Sequence, residues 1–126
     1  MQKLLIWLYL FNAIFLINHE IDSAYWNEWK LFKIRGGITT FLLLHFPLLF
    51  FVLYGIISIN NQTCTGLWFL IILSISGIFA FTIHMFFIKK GYKEFRNAIS
   101  LFILYSIFFI SLFQFIITLV LLINWK

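Results

Sequence analysis

The sequence predicts an all-α integral membrane protein, a four-helix up-down bundle. Three observations carry that expectation. The 126 residues are 63% hydrophobic and 10% charged, with a mean hydropathy of +1.04. Four long apolar runs are separated by short polar loops, and most of the cations sit in two of those loops. A soluble domain carries about 25% charged residues. Nine Lys+Arg and four Asp+Glu cannot cover a water-facing surface of this size. A soluble enzyme, a disordered tail and a nucleic-acid module are thereby excluded. The net charge of +5 does not point to nucleic acid either, because the cations flank apolar runs in twos and threes, as in loops held at a membrane surface.

The chain reads as one transmembrane domain, 1–126, with spans at about 4–24, 38–59, 67–88 and 98–123. A span needs about 20 apolar residues to cross about 30 Å of hydrocarbon. The last three meet that length. The first apolar core, Leu4 to Ile17, rises only about 21 Å, so its helix must continue through His19, Glu20 and Asp22. No glycine or proline interrupts it before Gly36 and Gly37. Residues Asp22 to Arg35 therefore read as a helical extension, with Tyr25, Trp26, Trp29 and Phe32 at headgroup level. No small-x-small site follows the first core, so it reads as an uncleaved span.

Four antiparallel spans put the 26–37 and 89–97 loops on one side. That side holds Lys30, Lys33, Arg35, Lys89, Lys90, Lys93 and Arg96, against Lys3 and Lys126 on the other. The positive-inside rule places the charged loops in the cytoplasm and both termini in the periplasm. The single cysteine, Cys64, falls in an outer loop with no histidine near it and cannot form an internal disulfide.

Each of the three histidines lies on a different span, and all three fall in the half with the charged loops. His45 is roughly 12 Å beyond Gly37, and His84 roughly 7 Å before Lys89. All four acids, Glu20, Asp22, Glu28 and Glu94, are on the same side. Ionisable groups inside a membrane are expensive and face the bundle interior or water. Asn12, His19, Asp22 and Trp26 share one face of the first helix. Ser74, Gly77, Ala80 and His84 form a small-residue stripe on the third, the mark of close helix contact. Asn97, Ser100, Ser111, Gln114 and Thr118 share a face of the fourth. Pro47 follows His45 and weakens the backbone ladder near it.

His19 and Asp22, three residues apart, can reach one point, and His45 and His84 can add two imidazoles. His19, Asp22, His45 and His84 are thus the candidate metal ligands, and their chemistry suits a transition metal such as zinc or iron. Glu20 and Asp22 are the candidate catalytic acid/base groups. Glu20 is turned about 100° from His19, towards a neighbouring helix. A polar network without metal, and a proton relay, use the same residues. Lys89, Lys90, Lys93 and Arg96 are first of all topology anchors, and beyond that a candidate clamp for an anionic lipid headgroup. His19-Glu20 does not extend to His-Glu-x-x-His, since Ser23 occupies the fifth position.

Three stretches together carry a resemblance: His19-Glu20-Ile21-Asp22 with Glu28-Trp29, Leu44-His45-Phe46-Pro47-Leu48, and His84 with Lys93-Glu94-Phe95-Arg96-Asn97. In this order they resemble a group of small four-span bacterial membrane proteins defined as a domain of unknown function. The resemblance covers nearly the whole chain. It implies a bacterial inner-membrane location and motif residues that act together; it implies no activity. A looser likeness to proteins named for a His-x-x-Glu-Glu motif lacks the Glu-Glu pair. Three functions remain in view. One is an enzyme-like site acting on a lipid or apolar substrate. A second is an accessory subunit, packing as a homo-oligomer or in a larger membrane complex through a Phe-rich fourth span. The last is a transporter.

Overall fold

The computed structural model describes residues 1–125; Lys126, counted above among the outer cations, lies outside the described residues. Five helices follow one another: α1 Gln2–Tyr25, α2 Glu28–Leu31, α3 Gly37–Asn60, α4 Cys64–Lys89 and α5 Ala98–Ile123. The four long ones are each apolar and long enough to cross a membrane. They pack in chain order around the bundle, with α1 and α4 also touching across its centre. The chain is a four-helix membrane bundle, with no strand among the described residues.

At the termini end, short-range chemistry joins α3 to α4. Thr63 caps α4 by accepting from the Gly66 N–H at 3.2 Å and donating to the Ser58 carbonyl at 3.1 Å. A Cβ at Gly66 would lie 2.7 Å from the Ser58 carbonyl oxygen, so α3 and α4 meet there backbone to backbone. Trp7, Trp68 and Trp125 are exposed at this end, the position of an interfacial aromatic belt.

The middle of the bundle holds a buried polar ladder. Ser111 Oγ donates to Asn12 Oδ1 at 3.2 Å, Asn12 Nδ2 donates to Gln114 Oε1 at 3.3 Å, and Gln114 Nε2 donates to the Leu70 carbonyl at 2.8 Å. It ties α1, α4 and α5 together, and Asn12, Ser111 and Gln114 are wholly buried. Gly77 lets α4 approach α5 closely, because a Cβ there would run into Ser111 and Ile107. Ser74, Gly77, Ala80 and His84 all face inward.

Two expectations need correction. The helical extension over 22–35 does not form. α1 stops at Tyr25, Asn27 takes a left-handed conformation (φ 54°), and a single short helix, α2, follows. Asparagine tolerates that region far better than other side chains, so the chain turns back under the bundle at Asn27 without help from glycine. Asn97, placed on the inward face of α5, instead caps that helix by accepting from the Ser100 N–H at 2.7 Å, and is exposed. α3 is continuous through Pro47, whose side chain is exposed on the lipid side.

Candidate functional site

The charged-loop end is built differently from the other. His19 arrives from α1 and His84 from α4, with ring centroids 4.5 Å apart and planes perpendicular. Both are almost wholly buried, at 2% and 1% exposure. The turn at Asn27 brings Glu28 up beneath them, with Oε1 3.2 Å from His84 Nε2. One ligand atom from each of His19, Glu28 and His84 lies within 4.8 Å of the other two.

Hydrogen bonding sets the tautomer of His84. Its Nδ1 lies 2.7 Å from the Ala80 carbonyl, which can only accept, so Nδ1 carries the proton. In the neutral ring Nε2 then presents a lone pair towards Glu28. Burial alone would push the Glu28 carboxyl up, but contacts with His84, Ser23 and His19 outweigh it and hold the group below the usual carboxylate range. Glu28 Oε1 and His84 Nε2 face each other at 3.2 Å, off-line for a hydrogen bond. A positive centre beside them, whether a proton on Nε2 or a metal ion, satisfies both atoms.

His45 solves the same problem differently. Its Nδ1 donates to the Phe41 carbonyl at 2.6 Å, and its Nε2 lies 2.7 Å from Glu20 Oε2 in hydrogen-bond geometry. A single shared proton satisfies that contact. The ring packs on Phe41 at 3.9 Å between centroids. Glu20 thus faces α3, as its 100° offset from His19 requires.

The sequence-predicted residues therefore separate into two neighbouring groups. His19 and His84 come together; His45 pairs with Glu20 and is not part of their group. Asp22 stays on the inward face of α1 with Oδ2 buried and unpartnered, but the carboxylate at the histidine pair is Glu28. Glu28 is the residue that helical spacing missed. It stands among the four acids of that side and in the Glu28-Trp29 part of the resembling stretch, and the preceding asparagine, a residue able to break the helix in the left-handed region, is the local signal that could have placed it at the site. Lys89, Lys90, Lys93 and Arg96 lie exposed on the rim, with Arg96 Nη2 donating to the Ile88 carbonyl at 2.9 Å.

Phe95 closes the site from the loop side. It is 1% exposed and stacks edge-on against His84 at 4.2 Å, with His19 at 5.8 Å. Its φ is +64°, a strained value for a bulky residue. Strain of this kind persists where packing over-determines it, and here the two imidazoles hold the ring.

From the lipid side the site is open. A cleft of about 490 Å³ runs between α3 and α4, walled by Leu48, Phe51, Ile75 and Phe79, and ends on His19, Glu20, Glu28 and His84. Ile75 and Phe79 are largely exposed, so the cleft is reached laterally from the membrane. Among the described residues, six buried side-chain atoms fall outside strict hydrogen-bond geometry, on His19, Asp22, Ser23, Trp26, His84 and Ser100, and all six lie at this end. Each such atom costs about 1–3 kcal/mol when left unmet.

Residues 5–121 match the Family of unknown function (DUF6713). No curated protein and no solved structure matches the chain.

Proposed function

The chain belongs to that family of unknown function, and from the site itself we propose that it is a multi-pass protein of the bacterial inner membrane that takes an amphiphilic, lipid-like substrate. The apolar tail lies in the α3–α4 cleft and the polar head meets His19, Glu20, Glu28 and His84. One observation carries this reading: apart from Ser76, whose hydroxyl is bonded to the Ile72 carbonyl, the cleft is walled by apolar side chains, and its ionisable groups are all gathered at His19, Glu20, Glu28 and His84. That is the pattern of ligand sites, in which apolar walls hold the molecule and a few polar groups orient it.

The Glu20–His45 pair supplies acid/base chemistry. It already holds a shared proton at 2.7 Å, and Glu20 borders the cleft. A proton passed to or from a bound headgroup by such a pair accelerates a reaction by typically 10²–10⁴-fold. The cation asymmetry of the loops supports a cytoplasmic site and periplasmic termini. Lys89, Lys90, Lys93 and Arg96, in and beside the loop that follows α4, then lie on the same side of the membrane as the site and attract an anionic headgroup. Membrane lipids are the expected partners, and nucleic acid is not.

Protein purified in mild detergent and extracted with organic solvent should release about one amphiphile per chain by mass spectrometry. Ser76 lines the cleft and is exposed, so Ser76→Trp fills the cleft from its rim with little risk to the fold. Loss of the amphiphile in Ser76→Trp is the expected result. Equal retention by variant and parent contradicts the reading.

A second reading rests on α5. Phe102, Phe109 and Phe113 are each more than half exposed and share one stripe. In an accessory subunit that stripe is the contact surface, whether with a second copy or with a larger complex. Co-purifying chains after cross-linking at Phe109 favour it, whereas cross-links to lipid alone count against it.

A further inference from the structure

We propose that His19, Glu28 and His84 bind one divalent first-row transition-metal ion of the zinc or ferrous class, with its remaining coordination position open to the α3–α4 cleft. The inference rests on the reading of the cleft end as the working site, and gives that site its electrophile.

The donor set comes first. Two imidazoles and one carboxylate form the three-ligand set of open catalytic zinc sites, and the facial set of non-haem iron sites. The three ligand atoms lie within 4.8 Å of one another. Ligands about 2.0–2.1 Å from a tetrahedral ion stand roughly 3.4 Å apart. The Glu28 Oε1 to His84 Nε2 separation is already 3.2 Å. Only the His19 edges need to close, and by little more than about 1 Å, within reach of a side-chain adjustment.

The ligands are also prepared. His84 donates Nδ1–H to the Ala80 carbonyl at 2.7 Å, so its metal-facing nitrogen is Nε2 with a free lone pair. Metal-bound histidines are held by such a bond on the other ring nitrogen. His84 Nε2 and His19 Nδ1 are both buried without a partner, in rings only 1% and 2% exposed. The Glu20–His45 contact is short, at 2.7 Å, and has hydrogen-bond geometry. The Glu28–His84 contact is longer and off-line, which leaves room for an ion displaced towards His19.

The surroundings fit. Phe95 seals the loop side against water, and an apolar shell of this kind strengthens a bound ion's field. All three ligands border the cleft, so the open position faces where a substrate headgroup would arrive. Glu20, held by His45, borders the same cleft.

The test uses the full chain in detergent micelles, stripped with a chelator and then dialysed against zinc, ferrous or cobaltous ion in turn. Elemental analysis should give one ion per chain for zinc or iron. The cobalt form should show visible bands of a four- or five-coordinate ion with mixed nitrogen and oxygen ligands. Glu28→Gln keeps the side-chain shape and should weaken binding by at least about 100-fold, the upper end of what outer partners alone cost. His84→Gln should do the same, and Glu94→Gln on the exposed loop should not. Should His84→Gln misfold, Glu28→Gln with an unchanged elution profile decides alone. No bound ion, or equal affinity in Glu28→Gln and parent, overturns the inference. If the amphiphile is still retained while no ion binds, the metal site fails by itself; if both are lost, the reading of the cleft fails with it.

Discussion

Gly77 offers a sharp test of how the bundle is held. A Cβ at this position would meet the Ser111 hydroxyl and lie 2.7 Å from Ile107 Cγ2. Neither neighbour can retreat, since Ser111 and Ile107 are both fully buried. Gly77→Ala therefore overpacks the α4–α5 contact, at about 1–3 kcal/mol. It also pushes Ser111 off Asn12, breaking a bond of 3.2 Å. A side-chain hydrogen bond between membrane helices is worth roughly 0.6 kcal/mol on average. The expected loss is about 2–3 kcal/mol, and Gly77→Leu should prevent assembly. The control is Phe79→Leu, on a side chain 62% exposed towards lipid, where a change within about 0.5 kcal/mol is expected. Reversible unfolding in mixed micelles, followed by tryptophan fluorescence, gives both numbers. Gly77→Ala within error of Phe79→Leu would mean that α4 and α5 are not in backbone-close contact, and that the small-residue stripe does not aim His84 inward.

Three further outcomes follow from the same geometry. His45→Ala leaves the Glu20 carboxylate without its partner at 2.7 Å and should cost about 3 kcal/mol, the lower end for a broken buried pair; the double variant with Glu20→Gln should recover most of that loss in the same unfolding assay, and full additivity would show that the two do not interact. Phe95→Ala removes the ring lying over His84, so His19 and His84, protected from diethylpyrocarbonate in the parent, should become reactive by mass spectrometry; unchanged protection would mean that Phe95 is not the seal. A reporter fused to the C-terminus should read out as periplasmic, since seven loop cations lie on the opposite side; a cytoplasmic signal would move the histidine site to the outer leaflet.

Much of the bundle is legible from periodicity. Span lengths follow from the apolar runs. The inward faces follow from where Asn12, His19, Ser74, Gly77, Ser111 and Gln114 recur at helical spacing, and burial agrees at each. His19 and His84 lie on those faces, which explains why they meet. What periodicity cannot see is a local break. A helix carried past Asn27 would send Glu28 away from the bundle and leave Asp22 as the natural carboxylate. The left-handed turn at Asn27 instead returns the chain and gives the place to Glu28. Likewise, spacing sets Glu20 off the His19 face, but only the packing of α1 on α3 joins it to His45. Phe95 carries no helical pattern at all; its position depends on a strained loop backbone.

The most direct measurement is a crystal structure of the full chain grown with zinc, with anomalous data collected at the zinc edge. One anomalous peak is predicted among His19, Glu28 and His84, about 2.0–2.1 Å from a nitrogen of each ring, with its open side towards the α3–α4 cleft. Imidazoles of His19 and His84 more than about 10 Å apart, several times that bond length, or a site in which the two rings and Glu28 hold no peak, would contradict the account.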